Sequence, residues 1–248
     1  MKDFKNKHIW IIGASSGIGE ALAKELSSRG AVLTLSARRE DKLHELRKSL
    51  GDNHNVCPLD IADYQSVQAA LSCAQKGFHR IDSVINLAAL YEPGKLSELS
   101  LEKTRTLIDV NLMGMFNLIY TILPILQKQE KAQFVLCGSV AGFKGLPNAQ
   151  PYSASKAAVI NLAESLKAEN PALDIKLINP GFVRTPLTDK NEFNMPMMVE
   201  PEQAAKAIAD GLLKKSFEIH FPKRFTSLMK LLGILPYGLY FKLAKKMA

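Results

Sequence analysis

Four polar side chains in the second half of the first 160 residues have the types and spacing for moving a proton to or from an oxygen. Tyr152 and Lys156, in the stretch PYSASK, are four residues apart, which sets them on one face of a helix. A phenol ordinarily titrates near 10, so acting near neutrality takes a shift of ~3 units, about 4 kcal/mol. One positive charge at ~4 Å supplies roughly that amount at an effective dielectric of ~20. Ser139, in CGSVAG, falls just past an apolar run, the strand-end position where open α/β sheets build their sites. Asn111, in DVNLMG, lies inside a long helical pattern, a poor place for asparagine on propensity grounds. In isolation Tyr152 would read as a packing aromatic; the set is what points to chemistry.

These residues need a frame. Apolar or β-branched runs occur at 8–12, 32–36, 55–59, 83–88, 133–137, 174–178 and 217–221, and helical patterns lie between them at 18–29, 41–50, 64–76, 101–127, 153–169 and 202–214. In the first helical pattern Ile18, Leu22 and Leu26 recur every fourth residue, with Glu20 and Lys24 on other faces. Runs such as FVLCG and SVINLAAL are apolar on successive residues, as expected of strands covered on both sides. Alternation of this kind predicts a single α/β domain with a seven-stranded parallel sheet between two helix layers. No internal repeat or linker-like shift in composition interrupts it. The domain is expected to span 1–221, with 222–248 as an appendage.

The first strand ends in GASSGIG and turns straight into a helix. A helix N-terminus presents unpaired N–H groups and the positive end of a dipole, which suits a phosphate. Gly13, Gly17 and Gly19 would let the backbone approach a pyrophosphate and let helix and strand pack closely, with Ser15, Ser16 and Ile18 between them. The bland alternative is a glycine turn needed only for packing. At the end of the second strand, Ser36 and Ala37 stand where an acid commonly bonds the adenosine ribose of NAD, and Arg38 and Arg39 follow. A bidentate arginine–phosphate contact is charge-assisted, so the expectation is NADP, with NAD less favoured. Of the two arginines, Arg39 fits a solvated helix-start residue better than Arg38 does.

The glycine turn, INLAA, Asn111, Ser139, the Tyr152-x-x-x-Lys156 pair and NPGFVRT at 179–185, in this order and spacing, resemble the short-chain dehydrogenase/reductase family over roughly residues 7–221. The resemblance implies a doubly wound Rossmann fold. It implies Tyr152 as proton donor to a ketone or base toward an alcohol, and Ser139 holding the substrate oxygen. It implies Lys156 on the nicotinamide ribose and lowering the Tyr152 pKa, and Asn111 holding a relay water through a helix distortion. Asp60 and Ile61 would meet the adenine, Asn86 and Ala88 would line the cofactor, and Pro180, Gly181, Val183 and Thr185 would close over the nicotinamide end. Two positions depart from the family's usual pattern: Ala89 stands where glycine is common, and Ile12 where threonine is common. The family is commonly dimeric or tetrameric through the helices holding Asn111 and Tyr152, which predicts a homodimer or homotetramer. The activity implied is an NADP-dependent reduction of a carbonyl or oxidation of an alcohol. A non-catalytic nucleotide-sensing protein, and an epimerase or isomerase using bound cofactor, are the alternatives.

Composition bounds the partners. The chain is 47% hydrophobic and 23% charged, ordinary values for a globular domain. Apolar runs such as VINLAAL are shorter than the ~20 residues a bilayer span needs. The strand-like run by Ile9 leaves no room ahead of it for a leader sequence. Cys57, Cys73 and Cys137 have no patterned spacing, so reduced thiols and a cytoplasmic setting are expected. The histidines, at positions 8, 44, 54, 79 and 220, are scattered, and no metal is expected. The net charge is +8, but Lys223, Arg224, Lys230, Lys242, Lys245 and Lys246 follow the last acid, Glu218, and leave only +2 for everything before them. That is not the broad basic face of a nucleic-acid binder. The basic, apolar tail reads in three ways: an amphipathic pair broken at Pro236 on an anionic membrane surface, a cover over the substrate opening, or ordinary packing. In 182–200, Phe193, Met195, Met197 and Met198 predict an adaptable apolar lid, which favours a greasy carbonyl substrate.

Overall fold

In the computed structural model the described residues are 1–78, 80–129, 131–191 and 193–245; His79 and Lys246 lie outside them. The strands are β1 (His8–Ile12), β2 (Val32–Ser36), β3 (Asn55–Val56), β4 (Ser83–Asn86), β5 (Gln133–Cys137), β6 (Asp174–Pro180) and β7 (Glu218–Phe221). They form one seven-stranded sheet in the order β3-β2-β1-β4-β5-β6-β7, all neighbours parallel. The order reverses between β1 and β4, the place where such sheets open a crevice at the strand C-termini. Register makes that rim level: Ile12 pairs with both Ser36 and Asn86, and Asn86 with Leu136.

Helices cover both faces: α1 (Gly17–Ser28), α2 (Glu40–Leu50), α3 (Tyr64–Ala74), α4 (Leu101–Ile108), α5 (Gly114–Gln127), α6 (Tyr152–Glu169) and α7 (Pro201–Leu212). Alternate strand residues divide the core between them. Trp10, Ile12, Val84, Phe134 and Leu136 pack with Val67 and Leu71 of α3, Leu118 and Ile122 of α5 and Val159 of α6. Ile9, Ile11, Leu33, Leu35 and Val135 pack with Leu22 and Leu26 of α1, Leu43 of α2 and Ile208 of α7. Burying each such side chain contributes about 1.5–3 kcal/mol.

Three sequence expectations change. The third strand is two residues long rather than five, because Pro58 has no N–H to extend the ladder, although Cys57 and Leu59 still donate to Leu35 and Ala37. The helical pattern at 101–127 carries a π turn at Asp109–Met113 between α4 and α5, the kind of helix distortion that the resemblance implies around Asn111. That continuous stretch, Leu101–Gln127, also has the length and composition to cross a membrane, contrary to the reading that all apolar runs are too short; half of its most apolar window is buried, as in a core helix. Finally, Cys57 and Cys73 are joined in a disulfide, with Cα atoms 5.9 Å apart, rather than being reduced thiols; Cys137 is free and buried. The last turn of α3 folds back onto the residue after β3, a proximity that a 16-residue separation does not reveal. The argument from cysteine usage to a reducing compartment goes with it.

The tail forms α8 (Lys223–Ile234) and α9 (Tyr237–Ala244), separated at Pro236. Phe225 and Met229 of α8 pack on Val140, Phe143, Leu146 and Phe182. Lys144 donates to the Gly233 carbonyl at 3.1 Å and lies 4.5 Å from the Tyr237 ring centroid. The Tyr240 hydroxyl donates to the Gly145 carbonyl, and Lys230 pairs with Glu218. The tail is therefore folded over the body of its own chain.

Candidate active site

The turn after β1 is shaped by what cannot fit in it. Gly13 has φ +88°, and a Cβ there would lie 2.6 Å from the Ala88 nitrogen. A Cβ on Gly19 would lie 2.1 Å from the Gly13 carbonyl oxygen, so α1 starts in backbone contact with the strand end. Gly17 faces the methyl of Thr185, which brings the loop after β6 onto the same rim. Ser16, at the helix cap, makes no capping bond with its side chain, so the N–H groups of the first turn remain available to a ligand.

The arginine that reaches this loop is Arg39. Its Nη2 donates to Ser15 Oγ at 3.0 Å, Ser16 Oγ at 2.9 Å and the Ser15 carbonyl at 3.3 Å. The sequence reading favoured Arg38, with Arg39 solvated; both are exposed, but Arg39 is the N-cap residue of α2 and its side chain folds back over the loop. Ser36 ends β2 at the rim but its side chain does not face the cradle: its hydroxyl accepts from Trp10 Nε1 at 2.9 Å and donates to the Cys57 carbonyl. Asp60 is partly exposed and its carboxylate accepts from the Ala62 N–H at 3.0 Å. Ile61 is buried against Gly114, and its carbonyl accepts from Asn117 at 3.0 Å. Asn86 Oδ1 accepts from the Ala88 N–H at 3.1 Å, which turns the chain away from the ladder. Pro180 closes β6, Val183 is buried and bridges to Val199, and Gly181 has the Phe225 ring 2.8 Å from where its Cβ would be. A cradle that only glycines leave open and an uncapped helix start fit the pyrophosphate of a dinucleotide.

Next to the cradle, the end of β5 and the start of α6 bring three expected residues together. Ser139 is buried, its hydroxyl accepts from the Ala141 N–H at 3.1 Å, and it lines the same cavity as Tyr152. Lys156, one turn on and 3% exposed, donates to the Cys137 carbonyl at 2.8 Å, with Nζ 5.6 Å from the Tyr152 ring centroid. Asn111 lies in the π turn. Its Oδ1 accepts from the Leu90 N–H at 2.7 Å, and its Nδ2 donates to the Leu90 carbonyl at 2.9 Å and to Ser155 Oγ at 3.1 Å. Its side chain thus ties the loop after β4 to α6, beneath Tyr152.

The electrostatics differ from expectation. Burial pushes the Tyr152 phenol above its ordinary range, the Cys137 thiol adds to that, and the Ser139 hydroxyl opposes it. Burial also pulls Lys156 below its ordinary value, against Cys137. The ammonium was expected to hold the phenol acidic. Here it faces the Cys137 carbonyl, and desolvation outweighs it, so the phenol stays protonated.

Ser139 and Tyr152 form the floor of a cavity of about 860 Å³, walled by Leu146, Phe182, Leu187, Phe193, Phe225 and Met229. Phe193 meets Phe182 edge-on with centroids 5.7 Å apart. Met195, Met197 and Met198 do not line it: Met197 is exposed, and the Met195 sulfur accepts from Asn191. Sequence reasoning missed Tyr91. Its ring packs edge-on to Tyr152 with centroids 4.9 Å apart, and its hydroxyl donates to Asn191 Oδ1 at 2.6 Å across the cavity mouth. It also missed Phe225 and Met229, because nothing in the tail pattern separates residues facing a cavity from residues facing the core.

Comparison with known proteins agrees with this geometry. A family model for short chain dehydrogenase matches residues 7–195. An uncharacterized oxidoreductase of Staphylococcus epidermidis is 33% identical over 218 residues, 87% of this chain and 95% of that one. A short chain dehydrogenase/reductase from Burkholderia phymatum, solved in complex with NAD, superposes with a TM-score of 0.85 at 26% identity, covering 93% of this chain and 94% of that one. An alcohol dehydrogenase from the archaeon Thermococcus sibiricus, complexed with 5-hydroxy-NADP, gives a TM-score of 0.78 at 29% identity, covering 88% and 96%.

Proposed function

The chain belongs to the short-chain dehydrogenase family of oxidoreductases, and on that premise we propose that it interconverts an apolar ketone or aldehyde and its alcohol with NADP. The observation that carries this reading is the placement of Ser139 and Tyr152 on the floor of a largely apolar cavity, with the buried Lys156 ammonium 5.6 Å from the Tyr152 ring and the glycine cradle alongside.

The turn from Gly13 to Gly19 and the start of α1 would hold the pyrophosphate, and Arg39 the 2′-phosphate. Asp60 and Ile61 would border the adenine, and Asn86 and Ala88 the middle of the cofactor. Lys156 would bond the nicotinamide ribose, while Pro180, Gly181, Val183 and Thr185 would close over the nicotinamide. The bound cofactor supplies the hydride that the carbonyl carbon receives. The chain supplies the proton: Tyr152 donates its phenolic hydrogen to the carbonyl oxygen, while the Ser139 hydroxyl donates a hydrogen bond to the same oxygen. A phenol kept protonated by burial is loaded for this direction, reduction. Asn111 fixes Leu90 and Ser155 around it. The walls exclude water and accept apolar carbon, and the cavity size suits a substrate larger than a short ketone. Met113 and Tyr120, exposed on the helices that carry Asn111, support a homodimer or homotetramer formed there.

The test is NADPH oxidation by the purified protein against carbonyls running from short ketones to long-chain keto compounds. Net consumption rising with chain length supports the reading. No consumption with any of them, or product isomers without net consumption, refutes it. Tyr152→Phe should lower turnover by ~10²–10⁴ and leave cofactor affinity unchanged.

A further inference from the structure

One face of α8 walls the cavity, and both tail helices leave an outer face bare. On α8, Phe225, Thr226 and Met229 are buried, while Leu228, Leu231 and Ile234 are exposed, the last 79% so. On α9 only Tyr240 and Ala244 are buried, and Tyr237, Leu239, Phe241 and Leu243 stand in solvent. Seven of the fourteen large apolar side chains that are exposed among the described residues fall in this one short stretch. Scattered exposed apolar residues need no explanation, but a contiguous patch marks a contact.

The charge around the patch says what kind. Lys223, Arg224, Lys242 and Lys245 are exposed there and form no ion pair with a described residue, and no acid follows Glu218 in the sequence. Two copies of this face would bring the same cations together. An anionic surface with an apolar interior complements both the cations and the side chains between them. A helix of twelve residues is about 18 Å long, too short to span a bilayer and suited to lying in its interface with the polar body above. Tyr237 is of the residue type that settles at the headgroup level.

We propose that the outer face of α8 and α9 docks on anionic phospholipid bilayers, with Leu228, Leu231, Ile234 and Phe241 entering the interface and the four cations meeting the headgroups. Because Phe225 and Met229 on the inner face wall the cavity, docking sets the substrate opening beside the lipid.

The test is flotation of the full chain with phosphatidylcholine vesicles, with and without phosphatidylglycerol. Binding should require phosphatidylglycerol and disappear at ~1 M salt, where the Debye length falls to about 3 Å. Lys242→Ala and Lys245→Ala should each weaken it about fivefold. Leu231→Asp with Ile234→Asp should abolish it while leaving the melting temperature and the turnover of a soluble substrate unchanged. Absence of binding to the anionic vesicles at low salt overturns the proposal, as does binding that survives the double aspartate variant. So does a lipid-free dimer that this variant dissociates, since the face would then belong to a second copy. The assay reads binding alone, so its outcome is independent of the reaction.

Discussion

Replacing Arg39 with alanine should change which cofactor the protein prefers. The guanidinium is exposed and held over the glycine loop by Nη2 alone, bonded to Ser15 and Ser16. Nη1 and Nε make no hydrogen bond to a described residue, so one edge of the fork remains for a phosphate. A hydrogen bond to a charged group contributes about 1.5–3 kcal/mol, which corresponds to a loss of ~10- to 150-fold in NADPH affinity. NADH has no 2′-phosphate, and the exposed serine contacts lie at the weak end of ~0.5–1.5 kcal/mol, so its binding should weaken only about threefold. Arg38 touches neither serine, and Arg38→Ala should stay within the ~0.5 kcal/mol of an ordinary surface change. Fluorescence titration of both cofactors against the parent and both variants measures this. The proposed NADPH preference should also shrink as salt is raised, because the pair is solvent-exposed. Equal losses for NADPH and NADH in Arg39→Ala, or a larger loss of NADPH in Arg38→Ala, would refute the assignment.

Two further outcomes follow from the buried groups. Burial raises the Tyr152 phenol above its ordinary value near 10, and the reduced nicotinamide ring brings no positive charge to reverse that. Carbonyl reduction should therefore hold its rate from neutrality through the ordinary tyrosine range, whereas alcohol oxidation, which needs the phenolate, should climb with pH; initial rates in both directions across pH would show a falling oxidation limb if this is wrong. The Cys57–Cys73 disulfide closes a 16-residue loop, so Cys73→Ser should cost about 3 kcal/mol on the chain-entropy estimate. Urea unfolding of the two proteins measures the difference, and an unchanged midpoint would mean that the cross-link contributes nothing to folding.

Much of the frame is legible in the sequence because the central strands are covered on both sides. Five apolar residues in succession, as in HIWII or QFVLC, have few other uses, and those two strands carry the expected boundaries. The glycine turn was legible for a related reason, since its residues are chosen by what they lack. Side-chain direction at exposed positions was not. Arg38 and Arg39 are adjacent and chemically identical, and only the rotation of the chain into α2 decides which of them reaches Ser15. The sense of the Tyr152 shift was missed because spacing gives the neighbour but not the desolvation, nor the carbonyl of Cys137 that takes up the Lys156 ammonium. Tyr91 was invisible because its partner Asn191 is 100 residues away.

Phe225 and Met229 come from a stretch beyond residue 195, where the family match stops. On the proposed reading, part of the selectivity is therefore written outside the segment that carries the reactive groups. The proposed proton donor Tyr152, with Ser139 and Lys156, sits within the matched segment together with most of the cavity walls, and part of the fence that would sort incoming molecules comes from a helix near the C-terminus. Grafting another terminal helix pair onto this scaffold would redirect the catalyst toward different molecules without touching the machinery that transforms them.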